Sequence, residues 1–152
     1  MNAKPVKAMR IWQRAPIQRC FIDTNILIYA DSDDEPAKQE DAALLIAHTI
    51  LTRSGVISTQ VLNEYSNTAL KKLKLPHERL RQQLRFFRQF EIVPSTPAIT
   101  EAAVDLHQTR SVAFYDALIL ASAEVAGCTV LYSEDMNAGE TVAGVKLANP
   151  FV

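Results

Sequence analysis

Short, almost wholly apolar runs alternate along this chain with longer stretches in which apolar residues return every three or four positions. The run Arg19-Cys20-Phe21-Ile22 ends abruptly in Asp23 and reads as a short buried strand, after which residues 25–30 turn towards helix. The acidic run Asp31-Ser32-Asp33-Asp34-Glu35-Pro36 is a loop, with Pro36 suited to the first turn of the next helix and the acids to that helix's positive end. Ala43, Leu44, Ala47, Ile50 and Leu51 recur at helical spacing over residues 37–52, until Gly55 breaks the pattern. Val56-Ile57-Ser58 predicts a second strand, and Val61, Leu62, Tyr65, Ala69 and Leu73 a further helix. Beyond the break at Leu75-Pro76, residues 77–90 form a basic amphipathic helix with Leu80, Leu84 and Phe87 inward. Ile92-Val93-Pro94 predicts a third strand, Pro97 opens a helix to about residue 110, and the nearly all-apolar residues 112–126 predict a largely buried helix capped by Gly127. Thr129-Val130-Leu131-Tyr132 is a fourth strand, a glycine-bearing loop follows, and Val145-Lys146-Leu147 is a candidate fifth.

Strands that alternate with helices in this way predict an α/β sandwich around a mostly parallel sheet of four to five short strands. At 152 residues, 48% of them hydrophobic, the chain suits one core. No apolar run reaches the length of a membrane span, and Trp12, Gln13 and Arg14 stand where a signal peptide would be apolar, so the expected location is cytoplasmic. Cys20 and Cys128, far apart and each in apolar surroundings, read as buried free thiols; His48, His77 and His107 have no partner at metal-ligand spacing.

The net charge of −1 hides an uneven distribution, because 12 of the 16 lysines and arginines lie in residues 1–20 and 71–88. The first stretch, with Lys4, Lys7, Arg10, Arg14 and Arg19, reads as an RNA-binding or disordered arm or as a segment docked through Trp12. The second offers Lys71, Lys72, Lys74, Arg81, Arg85 and Arg88 as a track for phosphates, against the simpler reading of a solvated helix face. Phe86, Phe87 and Phe90 would stack on bases or, more simply, pack in the core.

Parallel α/β folds place their sites at the carboxyl ends of strands. Asp23 stands where the first strand stops, and Asp135 just beyond the fourth. Asp116 lies early in the most apolar helix, and Glu64 on the helix after the second strand. Singly these acids have ordinary roles, as a helix cap, a first-turn acid, an Asx turn and a solvated flank. Together they are four carboxylates that can face one end of one sheet, where mutual repulsion and burial would be relieved by a divalent cation. A set of oxygen ligands without histidine or cysteine points to Mg²⁺ or Mn²⁺ rather than zinc. Asp31-x-Asp33 is not a calcium loop, since Pro36 and Ala42 occupy the positions that need Gly and Glu.

At this point the chain resembles a known family. Phe21-Ile22-Asp23-Thr24-Asn25-Ile26-Leu27-Ile28-Tyr29-Ala30 looks like the opening motif of PIN domains, and Ser58-Thr59-Gln60-Val61-Leu62-Asn63-Glu64 resembles the second. Tyr115-Asp116-Ala117-Leu118-Ile119-Leu120-Ala121-Ser122-Ala123 resembles the third motif, and Leu131-Tyr132-Ser133-Glu134-Asp135-Met136 with Asn149-Pro150-Phe151 the fourth. The resemblance covers residues 20–152 and leaves residues 1–19 as a basic N-terminal extension. It implies a PIN-like three-layer α/β/α sandwich similar to the VapC toxins of toxin–antitoxin pairs, a Mg²⁺- or Mn²⁺-dependent ribonuclease for single-stranded RNA, a small VapB-like antitoxin as partner, and a homodimer. The family's acids carry over to Asp23, Glu64, Asp116 and Asp135, and its supporting positions to Asn25 and Ser133, the latter standing where Thr is more usual. Two rival readings are a catalytically silent PIN-like module that binds RNA or protein, and a haloacid-dehalogenase-like phosphatase. The phosphatase pattern wants a second Asp where this chain has Asn25.

Overall fold

The computed structural model describes Ala3 and residues 7–152; Lys4 of the basic N-terminal stretch lies outside the described residues. The chain runs α1 (Ile11–Arg14), β1 (Cys20–Ile22), α2 (Thr24–Asp31), α3 (Pro36–Leu51), β2 (Gly55–Ser58), α4 (Thr59–Lys71), α5 (His77–Phe87), β3 (Glu91–Val93), α6 (Pro97–Arg110), α7 (Phe114–Val125), β4 (Val130–Tyr132), β5 (Thr141–Val142) and β6 (Val145–Ala148). The alternating pattern therefore becomes an α/β fold. Side-chain caps start three of the helices: Asp23 on α2, Ser58 on α4 and Thr96 on α6.

One sheet of six strands, ordered β3-β2-β1-β4-β6-β5, carries the fold. All neighbours are parallel except β5 and β6. β1 and β2 are buried along their whole length because helices cover both faces, as their continuous apolar runs require. The sixth strand exceeds the expected four to five. β5 is a two-residue strand in what reads as a loop, closed onto β6 by Ala143 and Gly144, both at positive φ (51° and 77°). A tight hairpin turn of this kind is usually announced by Asn-Gly or Asp-Gly, and Ala-Gly gives no such signal.

The chain leaves β1 outwards through β2 to β3, then returns to β4 on the other flank of β1. This reversal opens a crevice at the carboxyl ends of β1 and β4. The register, with Ile22 opposite Tyr132, brings the next residues, Asp23 and Ser133, side by side.

Residues 7–19 pack against α3 and the β4/β6 side of the sheet. Trp12 is buried with its ring 5.5 Å from that of His48, so the docking reading of this tryptophan is the one realised. Lys7 Nζ and Arg10 Nη2 lie 2.7 and 2.6 Å from the two oxygens of Asp41, a buried carboxylate on α3. Cys20 and Cys128 are buried and free. Phe87 and Phe90 are core residues, whereas Phe86 is exposed. Among the described residues no helix is long and apolar enough to cross a membrane.

Candidate active site

Asp23 occupies two roles at once. As the cap of α2 its Oδ1 accepts from the Thr24 backbone N–H at 2.7 Å, and its Oδ2 accepts from Ser133 Oγ at 2.7 Å. The side chain stands at the end of an apolar strand and is buried. That burial pushes its carboxyl up to about 6; the bonds from Ser133 and Thr24 oppose the rise, and the charges of Glu64 and Asp116 add to it.

Ser133 is a hub. Besides donating to Asp23 it accepts from the Asp135 backbone N–H at 3.2 Å and lies 3.2 Å from Asn25 Nδ2. Asn25, one residue into α2, also donates to Asp135 Oδ2 at 2.9 Å and reaches Asp23 Oδ2 at 3.4 Å, while its own carbonyl accepts from the Glu134 N–H at 3.4 Å. Asn25 and Ser133 thus bridge the two acids that follow β1 and β4.

Glu64 is not a free flank residue. Thr24 Oγ1 donates to one of its oxygens at 2.9 Å and Gln60 Nε2 to the other at 2.6 Å, and Gln60 also bonds the Tyr115 carbonyl at 3.2 Å. α4 is thereby tied to the starts of α2 and α7. Asp116, half-buried in the first turn of α7, has its carboxyl raised by burial first and by the charges of Asp135 and Glu64 next. It shares a cavity of about 300 Å³ with Asp135. A neighbouring groove of about 520 Å³ joins Asp135 and Glu64 to Tyr29, Asn67 and Lys72.

The sequence-predicted acids are therefore gathered at one end of the sheet, with Asp23, Asn25, Ser133 and Asp135 in direct contact and Glu64 joined through Thr24. Among the described residues, however, no three His, Cys, Asp or Glu side chains stand close enough to form a ready-made metal site. The donor set still fits a hard cation: it is all oxygen, and the carboxyls of Asp23 and Asp116 are raised by burial first and then by neighbouring acids, Glu64 acting on both, which a positive charge would offset.

The candidate phosphate track divides. Lys71, Lys72, Lys74, Arg81, Arg85 and Arg88 are all exposed, but of these only Lys72 lines the groove that contains Glu64 and Asp135. Arg81 and Arg85 lie 3.7 and 3.8 Å from Glu78 on α5 itself. Thr24 and Gln60, which hold Glu64, are the functional positions the sequence reading missed. Gln60 stands one helical turn before Glu64, a spacing that can signal such a pair; Thr24 gives no local signal, its partner being 40 residues away.

The same fold occurs in solved structures of low identity. A toxin–antitoxin complex from Klebsiella pneumoniae superimposes with a TM-score of 0.63 at 22% identity, covering 86% of this chain and 97% of that one. VapC20 from Mycobacterium tuberculosis, a toxin that cleaves the sarcin-ricin loop, gives 0.63 at 18% identity over 76% and 89%. DNA-bound VapBC from Salmonella typhimurium gives 0.61 at 22% identity over 88% and 98%. No curated protein matches the sequence significantly. The PIN domain family model matches residues 20–142, a span that begins at β1 and takes in all four acids, and the chain belongs to the PIN domain family.

Proposed function

We propose that this protein is a metal-dependent endoribonuclease for single-stranded RNA and the toxin of a type II toxin–antitoxin pair. The observation that carries this reading is the Asp23–Ser133–Asn25–Asp135 network at the sheet's switch point, with Glu64 and Asp116 facing it. Membership of the PIN family and the likeness of the fold to that of VapC and VapBC proteins support it.

On this reading Asp23, Asp116 and Asp135 hold Mg²⁺ or Mn²⁺, directly or through water, and Glu64 holds it too or orients the attacking water. A bound cation would neutralise charge on the phosphodiester and acidify water. Ser133 and Asn25 fix the carboxylates of Asp23 and Asp135, and Thr24 and Gln60 fix Glu64, so the groups are set before substrate arrives. Water adds to phosphorus, the 3′-oxygen leaves, and the products are a 5′-phosphate and a 3′-hydroxyl. Lys72 contacts a phosphate of the strand lying in the groove beside Glu64. Lys71, Lys74 and the arginines Arg81, Arg85 and Arg88 add a diffuse positive field. A VapB-like antitoxin, a homodimer and a cytoplasmic setting complete the proposal.

The test is cleavage of single-stranded RNA by the native chain, Asp23→Asn and Asp116→Asn, with Mg²⁺, with Mn²⁺ and with a chelator. Each variant is expected to lose at least about 100-fold in kcat, and the chelator to abolish activity. Undiminished cleavage by either variant, or cleavage in the chelator, overturns the assignment. Retained RNA binding without cleavage at any metal concentration would instead identify a silent binding module. A phosphatase is disfavoured because position 25 supplies an amide committed to Asp135, not a proton-donating acid.

A further inference from the structure

Lys38, in the first turn of α3, is enclosed on several sides. Its ammonium lies 5.0 Å from the centroid of the Tyr29 ring and 5.7 Å from that of Phe151, and these two rings meet edge to face at 5.2 Å. It donates to Glu134 Oε1, with Glu35 3.3 Å away on its other side. Glu134 also adjoins the Tyr29 side chain and raises its hydroxyl above the ordinary value. α2, α3, the C-terminal aromatic ring and the segment after β4 therefore meet at one lysine.

Glu134 separates Ser133 from Asp135. Those two side chains enter the acid cluster, whereas that of Glu134 is taken the other way, to Lys38. Its backbone N–H is held at the same time by Asn25 Oδ1. The tripeptide is thus anchored on both sides, and a carboxylate that adjoins an already crowded acidic site is neutralised outside it. Without a cation at position 38, Glu134 would lose its partner and be free to swing towards Asp135, adding like charge where Asp116 and Glu64 already oppose each other.

We propose that Lys38 is a positioning residue: by clamping Glu134 it sets where Ser133 and Asp135 stand and keeps a fifth carboxylate out of the acid cluster. As a statement about catalysis this rests on the nuclease reading; as a statement about the segment after β4 it does not.

The test compares Lys38→Met, Lys38→Arg, Glu134→Gln and the double variant Lys38→Met/Glu134→Gln in the full chain. Three readouts are used: amide hydrogen exchange of residues 133–136 in metal-free protein, Mn²⁺ affinity by calorimetry, and kcat and KM on single-stranded RNA. For Lys38→Met, exchange of the segment is expected to quicken, Mn²⁺ to bind about tenfold more weakly and kcat to fall about tenfold, with KM changed less than about twofold. Lys38→Arg, which keeps the charge, should recover most of each loss, and the double variant should be no worse than Lys38→Met alone. Native exchange and kcat in Lys38→Met, or equal defects in Lys38→Arg and Lys38→Met, overturn the proposal. Should Lys38→Met not fold, the isosteric Glu134→Gln decides by the same readouts. If the native chain neither cleaves RNA nor binds Mn²⁺, the nuclease reading fails, and hydrogen exchange alone then judges the clamp.

Discussion

The Ser133 hydroxyl donates to Asp23 Oδ2 at 2.7 Å across 110 residues of chain, joining the ends of β1 and β4. The contact follows from the parallel register of the two strands, which sets Ile22 opposite Tyr132 and so brings the next residue of each to the mouth of the crevice. Ser133→Ala is expected to remove the donor, leave Asp23 less well fixed and lower kcat on RNA about tenfold. Ser133→Thr keeps the hydroxyl and should stay within about threefold of native. Equal activity in all three proteins would show that the hydroxyl positions nothing.

Asp23 also ties stability to pH. Burial raises its carboxyl from 3.8 in the unfolded chain to about 6 in the folded one. A raised carboxyl favours the protonated fold, so its stabilising contribution is complete below about pH 4 and is lost as pH rises through 6. Cleavage, which needs the carboxylate, should rise over the same interval. Asp23→Asn retains the cap on α2 and removes the buried charge. In metal-free protein at pH 7.5 it should therefore raise stability by roughly 1–3 kcal/mol, seen as a Tm higher by several degrees, while abolishing cleavage. A Tm at or below native at that pH would contradict the burial argument.

The N-terminal clasp should behave in the opposite sense. Burial alone would raise the Asp41 carboxyl, but the bonds from Lys7 and Arg10 outweigh it and hold it below its ordinary value. Stability from such a group is present above the unfolded value of 3.8 and is lost as pH falls through the lowered folded one. Lys7→Met combined with Arg10→Met leaves a buried charge without a partner and should cost about 2 kcal/mol at pH 7. Thermal melts of the two proteins should converge as the pH drops below about 4. A constant gap at all pH values would assign the loss to packing instead.

Lys72, which lines the groove, is expected to matter more than the other basic residues of its stretch, whose contribution is a diffuse field. Lys72→Gln should raise KM for single-stranded RNA about threefold, leave kcat unchanged and reduce the salt slope of binding by about 0.7. Arg81→Gln and Arg85→Gln, on a helix where Glu78 lies within 4.0 Å of both arginines, should change KM less. Equal effects at all three positions would replace the groove with a diffuse field.

At Gly55 the sheet backbone lies close to Thr49 of α3 and to the Phe90 ring. A Cβ there would stand 2.7 Å from the Phe90 ring and 2.9 Å from Thr49 Cβ. Gly55→Ala should lower stability to urea by about 1–3 kcal/mol, because the ring sits in the core and can yield little. A loss below about 0.5 kcal/mol would mean that Phe90 shifts freely.

What the sequence determined by itself was whatever is written in local periodicity. Apolar runs bounded by helical spacing located β1 to β4 and the helices between them, and an acid that closes an apolar run marked Asp23, because the carboxyl end of a parallel strand is where such folds place their sites. The hairpin at Ala143-Gly144 escaped, since positive φ at an alanine leaves no trace in composition. Asp41 gave no sign either: on a helix surface it resembles any solvated acid, and only the return of Lys7 and Arg10 across more than 30 residues makes it buried and paired. The same holds for Thr24 on Glu64 and Lys38 on Glu134. Periodicity records the environment of a residue relative to its own element; which side chains from different elements meet is decided by strand order and register, and those come from the packing of the whole chain.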